Sequence, residues 1–315
     1  MKTTKTCALP YYLGVDGGGT KTLFRLVDKN GHTIRDVLKG TSNPNDIGME
    51  NTLSVLRDGI TESCVGIPYS SITMFAGIAG GGMSGNNAEI LNRFFREFSF
   101  FAFANGSDIE NLFALSDDEQ RVLVIMGTGF IVYAINGAEK KRISGWGQLF
   151  DEGGSGYTLG KDAITAVLSA GDGSGKQTLL TSFMEEKIGE TAEAHLTKFY
   201  QGGKRYIAEF SSIVFRAAEA RDAVALTILE KNMRFAAEKI NAALAFLNKR
   251  QNTADIPVML AGGISKQSEK LFPLIEKHMT YDNYHLIPLT VEPVEGAIRR
   301  AKQIFEDTIK ESAIF

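Results

Sequence analysis

The segment Asp16-Gly17-Gly18-Gly19-Thr20-Lys21-Thr22 sets three glycines between two apolar, β-branched runs. Without Cβ atoms in the way, the backbone N–H groups of such a turn can converge on an anion; Thr20 and Thr22 add hydroxyl donors and Lys21 adds charge. That is phosphate-binding chemistry. Asp16 ends a strand that reads as buried, an awkward place for a carboxylate unless it holds Mg2+, directly or through water. A glycine-rich hairpin with a capped Asp would account for the same residues without any ligand. A second turn, Gly127-Thr128-Gly129, is weaker in isolation. Both gain weight because they occupy equivalent positions in two copies of one unit, where facing hairpins would grip a nucleotide's phosphates from both sides.

Competing signatures fail. No GxxxxGK[ST] exists, and Gly171-Asp172-Gly173-Ser174-Gly175-Lys176 lacks both the spacing and a preceding strand. No GxGxxG follows a strand, which disfavours a Rossmann dehydrogenase, and no GxSxG elbow marks a hydrolase. His32, His195, His278 and His285 are far apart, show no metal-ligand spacing, and read as structural or solvated.

The elements that must present the two turns repeat along the chain. From Tyr11 it reads YYLGVD, GGG, TKTLFRLVD, the turn Asn30-Gly31, and HTIRDVLKG; from Arg121 it reads RVLVIM, GTG, FIVYAI, the turn Asn136-Gly137, and AEKKRIS. Each predicts three antiparallel strands. The repeat sets a boundary near residues 110–120 and predicts a duplicated domain of meander followed by alternating α and β. Between the copies the pattern predicts a helix over 46–64, a strand over 71–79, a helix over 87–98 and a strand over 98–105. Residues 156–250 read as mostly helical, with one apolar face from Ala225 to Leu247 that reads as core. IPVMLA is a buried strand, Ser265 opens a helix, HLIPLT is another strand, and the apolar stripe of a last helix from about residue 294 wants a partner surface.

Composition bounds the partners. At 315 residues the chain exceeds what one core usually serves, which leans toward two domains. Thirty-four basic residues against thirty-seven acidic ones leave a net charge of −3, so no global field draws nucleic acid or an anionic bilayer. A mean hydropathy of −0.07 without a long apolar run excludes a membrane span. Cys7 and Cys64 are too few for a disulfide framework, a Cys-rich zinc site or an iron–sulfur cluster within one chain. The first residues hold no apolar run to direct export, and the expected location is the cytoplasm.

Taken in order, DGGGTKT at 16–22, GTG at 127–129, GWG with an acidic pair at 151–152, AGGIS at 261–265 and EPVEGAIRRA near the end resemble the landmarks of the actin-like ATPase superfamily, which includes sugar kinases. Within it the chain is similar to the BadF/BadG/BcrA/BcrD-type ATPases and, most of all, to N-acetylglucosamine kinases. The likeness covers nearly the whole chain. It implies an α/β fold of two duplicated ribonuclease-H-like domains flanking a cleft: residues 1–115 joined by a C-terminal helix over 295–315, and residues 116–294. ATP and Mg2+ would bind at the base of the cleft and the sugar above. The implied activity is ATP-dependent phosphorylation of an N-acetylated amino sugar at its 6-hydroxyl, with N-acetylglucosamine first and N-acetylmuramic acid or glucosamine as variants. The family's frequent assembly is a homodimer.

Residue by residue, the resemblance gives Asp16, Gly18, Gly19, Thr20, Lys21 and Thr22 to the first phosphate hairpin, Asp16 also to the metal, and Thr128 and Gly129 to the second hairpin. Gly262 and Gly263 sit where the family binds adenosine. Asp108 falls at the helix start where the family places its catalytic carboxylate, the group that orients the sugar hydroxyl and accepts its proton; a helix-capping Asp is the plain alternative. Asn43, backed by Asn45, together with Gly80 and Gly147, borders the sugar, although Asn43-Pro44 is also an ordinary turn. Two departures mark this chain. Where the family reads GDEGSGY the chain reads FDEGGSGY, so Asp151 or Glu152 takes the sugar-binding Asp's place; Glu152 is favoured because Gly154, Ser155 and Tyr157 then keep their positions. Phe130 replaces a polar residue after GTG. Two other readings remain open: an ATPase that activates another enzyme through a cysteine-held cluster, for which Cys7 and Cys64 lie outside the expected positions, and a non-catalytic nucleotide scaffold, which would have no use for Asp108.

Overall fold

The computed structural model describes residues 10–82, 86–248 and 255–313. Cys7 lies outside them. By internal contacts the chain divides into two compact units, one running to Asp117 and resuming at Val291, the other spanning Asp118–Thr290.

In the first unit β1 (Tyr11–Gly17), β2 (Lys21–Val27) and β3 (Thr33–Gly40) form an antiparallel meander, followed by α1 (Pro44–Ile47), α2 (Met49–Ser63), β4 (Ile72–Ile78), α3 (Asn87–Arg96), β5 (Ala102–Gly106) and α4 (Asp108–Phe113). The sheet order is β3-β2-β1-β4-β5, with β1, β4 and β5 parallel. Strand β4, ITMFAGI, is buried at every position, the pattern of a parallel strand covered on both faces. One cover is α2 and α3: Leu56, Ile60, Phe94 and Phe95 pack on Leu13 and Val15.

The second unit repeats the meander with β6 (Gln120–Met126), β7 (Phe130–Asn136) and β8 (Glu139–Arg142). It continues through α5 (Gly156–Gly171), α6 (Leu179–Ile188), α7 (Leu196–Glu209), α8 (Ser211–Glu219), α9 (Ala223–Asn248), β9 (Ile256–Ala261), α10 (Ser268–Glu276) and β10 (Tyr284–Pro288). Its order, β8-β7-β6-β9-β10, reproduces the first sheet strand for strand and in the same relative directions. The apolar face expected on α9 is buried from Ala225 to Leu247, in one core with Val122, Val124 and Leu260. The last helix, α11 (Pro293–Ala313), belongs to the first unit, where Ala297, Ile298 and Ala301 meet Tyr12, Val27 and Phe75. That is the partner surface its stripe demanded, on the face of β1 opposite Leu13 and Val15.

Sequence and structure differ at three places. The helix expected over 46–64 breaks at Gly48, whose φ of 78° ends α1 and begins α2. The strand expected over 98–105 starts only at Ala102. Ser99 takes φ 53°, and Phe98 and Phe100, stacked at 5.6 Å, pack edge-on against Tyr69. Ser265 opens a 3-10 turn over Ile264–Gln267, its hydroxyl donating to the Gly262 carbonyl at 2.7 Å, before α10 begins.

Candidate active site

The first glycine turn links β1 to β2, and Gly18 N donates to the Lys21 carbonyl at 2.9 Å to close it. The loop after β3 braces it from the side: Thr41 Oγ1 donates to the Gly18 carbonyl at 3.1 Å. Thr22 departs from the expectation of a ligand-facing hydroxyl. It is fully buried, and its Oγ1 donates to the Gly40 carbonyl and shares a hydroxyl–hydroxyl hydrogen bond with Ser42 Oγ, both at 2.8 Å, so it fastens the turn to that loop. Thr20 and Lys21 are exposed and remain available to a ligand.

Asp16 sits just before this turn, and burial pushes its carboxyl up to about 6. A hydrogen bond from Asn111 works against that rise, the negative charge of Asp108 adds to it, and the charge of Lys21 opposes it. Asn111 Nδ2 donates to Asp16 Oδ1 at 2.8 Å and to the Val15 carbonyl at 3.3 Å. It can do so because α4 lies close upon the sheet and upon α11. A Cβ at Gly77 of β4 would stand 2.3 Å from Asn111 Oδ1, and one at Gly296 of α11 would stand 1.7 Å from its carbonyl. Asn111 has no exposed surface, and its Oδ1 has no hydrogen-bond partner among the described residues.

Asp108 opens α4, three residues before Asn111 and so on the same helical side. The N-cap is Ser107, and Glu110 completes a capping box with its carboxylate accepting from Ser107 N at 3.2 Å. Capping is therefore done by the neighbours of Asp108. Its Oδ1 accepts from Ser107 Oγ at 3.0 Å and from Ile109 N at 3.1 Å, and burial, outweighing these bonds, raises its pKa above the ordinary carboxylate value.

Of the residues expected at the sugar, Asn43, Asn45 and Gly80 of the first unit gather nearby. Asn43 caps α1, its Oδ1 accepting from Asn45 N at 3.0 Å and its Nδ2 donating to Asp46 Oδ2 at 2.9 Å. The loop after β4 reaches both asparagines and the start of α4. A Cβ at Gly80 would stand 2.4 Å from Asn43 Oδ1 and 2.6 Å from Asn45 Nδ2, and one at Gly82 would stand 3.0 Å from Ser107 N. Asp16, Gly80 and Asp108 thus lie at the carboxyl ends of β1, β4 and β5, where open α/β sheets take ligands.

In the second unit the turn between β6 and β7 closes with Gly127 N donating to the Gly129 carbonyl at 2.9 Å. The first amides of α5 hold it: Gly156 N donates to the Gly127 carbonyl at 2.7 Å and Tyr157 N to the Thr128 carbonyl at 3.2 Å. Gly262, with φ 100°, packs so tightly on this turn that a Cβ would stand 2.5 Å from the Met126 carbonyl, while Gly263 faces open space. Thr128, Gly129, Gly262 and Gly263 are brought together at the ends of β6 and β9. Phe130 is a core residue, packed edge-on against Phe235 at 5.7 Å.

Two positive-φ glycines, Gly145 and Gly147, lead into the acidic segment. Asp151 is buried and folds this loop upon itself, its Oδ2 accepting from Gly147 N at 3.0 Å and its N donating to the Gly147 carbonyl at 2.9 Å. Glu152, by contrast, is exposed. Asn232 of α9 anchors the end of the segment, accepting from Gly154 N at 3.1 Å and from Thr158 Oγ1 at 2.7 Å.

Asn111 and Asn232 were missed in the sequence reading. Each carried a faint signal, the first as a polar residue three after Asp108, the second as a polar interruption of the apolar face of α9. The histidines fall as expected: His195 is enclosed by Glu190 and Tyr206, and His32, His278 and His285 pair with surface carboxylates. Cys64 is buried, with its thiol pushed up to about 12 by desolvation, which suits packing and not ligation.

The chain matches the BadF/BadG/BcrA/BcrD ATPase family over residues 13–301. It belongs to that family. The chain is also similar to relatives along almost their whole length. The N-acetyl-D-glucosamine kinase of Dictyostelium discoideum is 27% identical over 308 residues, covering 91% of this chain and 96% of that one. The N-acetylmuramic acid/N-acetylglucosamine kinase of Clostridium acetobutylicum is 26% identical over 302 residues, covering 92% and 97%. The solved structure of a Chromobacterium violaceum protein, described as a candidate N-acetylglucosamine kinase, superposes with a TM-score of 0.69 at 22% identity, covering 93% of this chain and 99% of that one. The fold of this BadF/BadG-family ATPase is accordingly the two-domain, actin-like α/β fold of sugar kinases. Among the described residues no helix is long and apolar enough to cross a membrane.

Proposed function

We propose that this protein is an ATP-dependent kinase of an N-acetylated amino sugar, N-acetylglucosamine first, that transfers the γ-phosphoryl group to the sugar's 6-hydroxyl with Asp108 as general base. The observation that carries this reading is the state of Asp108. It is a partly buried carboxylate at a strand's carboxyl end, relieved of capping by Ser107 and Glu110, with a pKa raised toward the range where a carboxylate takes up a proton. The names of the Dictyostelium discoideum and Clostridium acetobutylicum relatives support the substrate class.

Asp108 orients the sugar hydroxyl and receives its proton as the phosphorus–oxygen bond forms. Thr20, Lys21 and the backbone of the first turn bind phosphate oxygens, as do the Thr128 and Gly129 amides in the second, and Gly263 leaves room for the nucleoside. Asn43, Gly80, Gly147 and Glu152 bind the sugar, Asp151 being occupied with folding its own loop.

Mg2+ fits Asp16. Among the described residues no set of three or more His, Cys, Asp or Glu side chains forms a metal cage. Mg2+ is commonly held by one or two carboxylates together with substrate phosphates, and a desolvated carboxylate secured on one oxygen by Asn111 suits that role. Bound there, the ion supplies charge neutralisation for the transferred group.

Incubating the purified protein with ATP, Mg2+ and a panel of amino sugars tests the reading. We expect ADP release stimulated by N-acetylglucosamine and a 6-phosphate product by NMR. A panel in which no amino sugar stimulates ADP release sinks it, whereas stronger stimulation by N-acetylmuramic acid or glucosamine changes only the preferred sugar.

A further inference from the structure

We propose that Lys204 is a phosphate-binding residue of the second glycine turn, the cation that completes an anion site for the nucleotide's polyphosphate. The proposal rests on the kinase reading for the identity of the anion, and on geometry for the rest.

The first observation is position. A Cβ at Gly129 would stand 3.3 Å from Lys204 Nζ and 3.9 Å from its Cε, so the ammonium lies against the turn. The second is the polarity of the turn. Its carbonyls are all engaged, Gly127 O by Gly156 N, Thr128 O by Tyr157 N and Gly129 O by Gly127 N, whereas the Thr128 and Gly129 amides donate to nothing among the described residues. Unengaged amide donors and a positive charge thus belong to the same turn, an arrangement that an anion relieves. The third is the lack of a competing carboxylate. Lys39, Lys198, Lys231, Lys270 and Lys277 each pair with an Asp or Glu, but Lys204, although exposed, is in no ion pair among the described residues.

The fold also explains how a residue so distant in sequence arrives there. Helix α7 breaks at Gly203, with φ 66° and ψ −168°, immediately before Lys204. Just beyond, α7 packs closely on α5, where a Cβ at Gly160 would stand 1.9 Å from the Ile207 carbonyl, and α7 is tied back to its own N-cap by Tyr206 Oη, which meets His195 Nε2 at 2.5 Å. Helix α5 is the element whose first amides hold the turn. Lys204 and the turn are thus both packed on α5, and the side chain that follows the break reaches Gly129. The first turn carries its own lysine, Lys21; the second, Gly127-Thr128-Gly129-Phe130, has none and receives one from α7.

Calorimetric titration of ADP and of adenosine, with Mg2+ present, into the wild type, Lys204→Ala and Lys204→Arg tests this, with a thermal melt of each protein. Lys204→Ala should weaken ADP about 10-fold or more, the scale of one charge-assisted hydrogen bond, and leave adenosine within about 2-fold. Lys204→Arg should recover most of the loss. Unchanged ADP affinity in Lys204→Ala overturns the proposal, as does a wild type that binds no ADP. An equal loss for ADP and adenosine overturns it too, because that reports damaged packing. These titrations involve no sugar, so they decide the role of Lys204 even if the sugar panel is negative.

Discussion

The two glycine turns close in the same manner, each with the first residue after its strand donating back across the hairpin, yet their surroundings differ in kind. The first is braced by a loop, through Thr41 and Thr22, and follows a buried carboxylate. The second is braced by the amino end of α5 and by Gly262, and the position matching Asp16, two before the closing glycine, is Ile125. Duplication kept the backbone geometry in both copies. The buried carboxylate before the turn is in one only. Under the proposed function the difference is a division of labour: both units offer a phosphate-binding turn, but the carboxylates proposed for the proton and the cation, Asp108 and Asp16, lie in the first alone.

Substitutions at Asp108 and Asp16 should then change turnover or the response to metal, and substitutions around the second turn should change nucleotide affinity. The largest effect is expected from Asp108→Asn, which should lower kcat at least ~100-fold, the usual scale for a positioned acid–base group, while ADP affinity by calorimetry stays close to wild type. A variant that turns over at the wild-type rate removes Asp108 from the mechanism and the asymmetry with it.

Next comes Asp16→Asn, whose signature is stability. The folded-state pKa of about 6 lies above the ordinary 3.8, so the folded protein holds this proton more tightly than the unfolded chain. Its contribution to stability is full below pH 3.8 and is lost as pH rises to about 6. The variant, freed of that penalty, should be more stable than the wild type without Mg2+ by roughly 2–3 kcal/mol at pH 7, and no more stable at pH 4. Denaturant melts at the two pH values check this, and equal differences at both would show that Asp16 carries no burial penalty. The same variant should have lost its response to Mg2+.

The smallest effect is expected in the second unit. Gly262→Ala forces a side chain toward the Met126 carbonyl at φ 100°, at a stability cost of about 1–3 kcal/mol. Its KM for ATP should rise and kcat at saturating ATP should hold. A fall in kcat with an unchanged KM would break the division between the units.

Much of this arrangement was legible in the sequence, for identifiable reasons. Both meanders announce themselves through local chemistry: the apolar runs are short, and Gly18-Gly19, Asn30-Gly31, Gly127 and Asn136-Gly137 punctuate them. The stripe of α9 was legible because helical periodicity is a local property. What escaped notice depends on distant neighbours. Nothing near Thr22 says that its hydroxyl meets Ser42, and nothing near Asn111 says that its amide reaches β1. The reading of Asp108 as a helix cap was open until Ser107 and Glu110 were seen to do that work. Gly48 and Gly203 look like ordinary helix glycines in sequence; only the packing around them makes one a boundary and the other a bend.

The seating of α11 against β1 bears on how the molecule is made. Its segment leaves the ribosome after every strand of the second unit, and until then Tyr12 and Phe75 lack their cover and the backbone of Asn111 lacks its neighbour Gly296. Since domains generally fold as units during synthesis, the later-encoded core can form first, while the earlier-encoded one waits for its final helix. The second unit's core can therefore be complete before α11 seals the surroundings of Asp16 and Asn111 in the first.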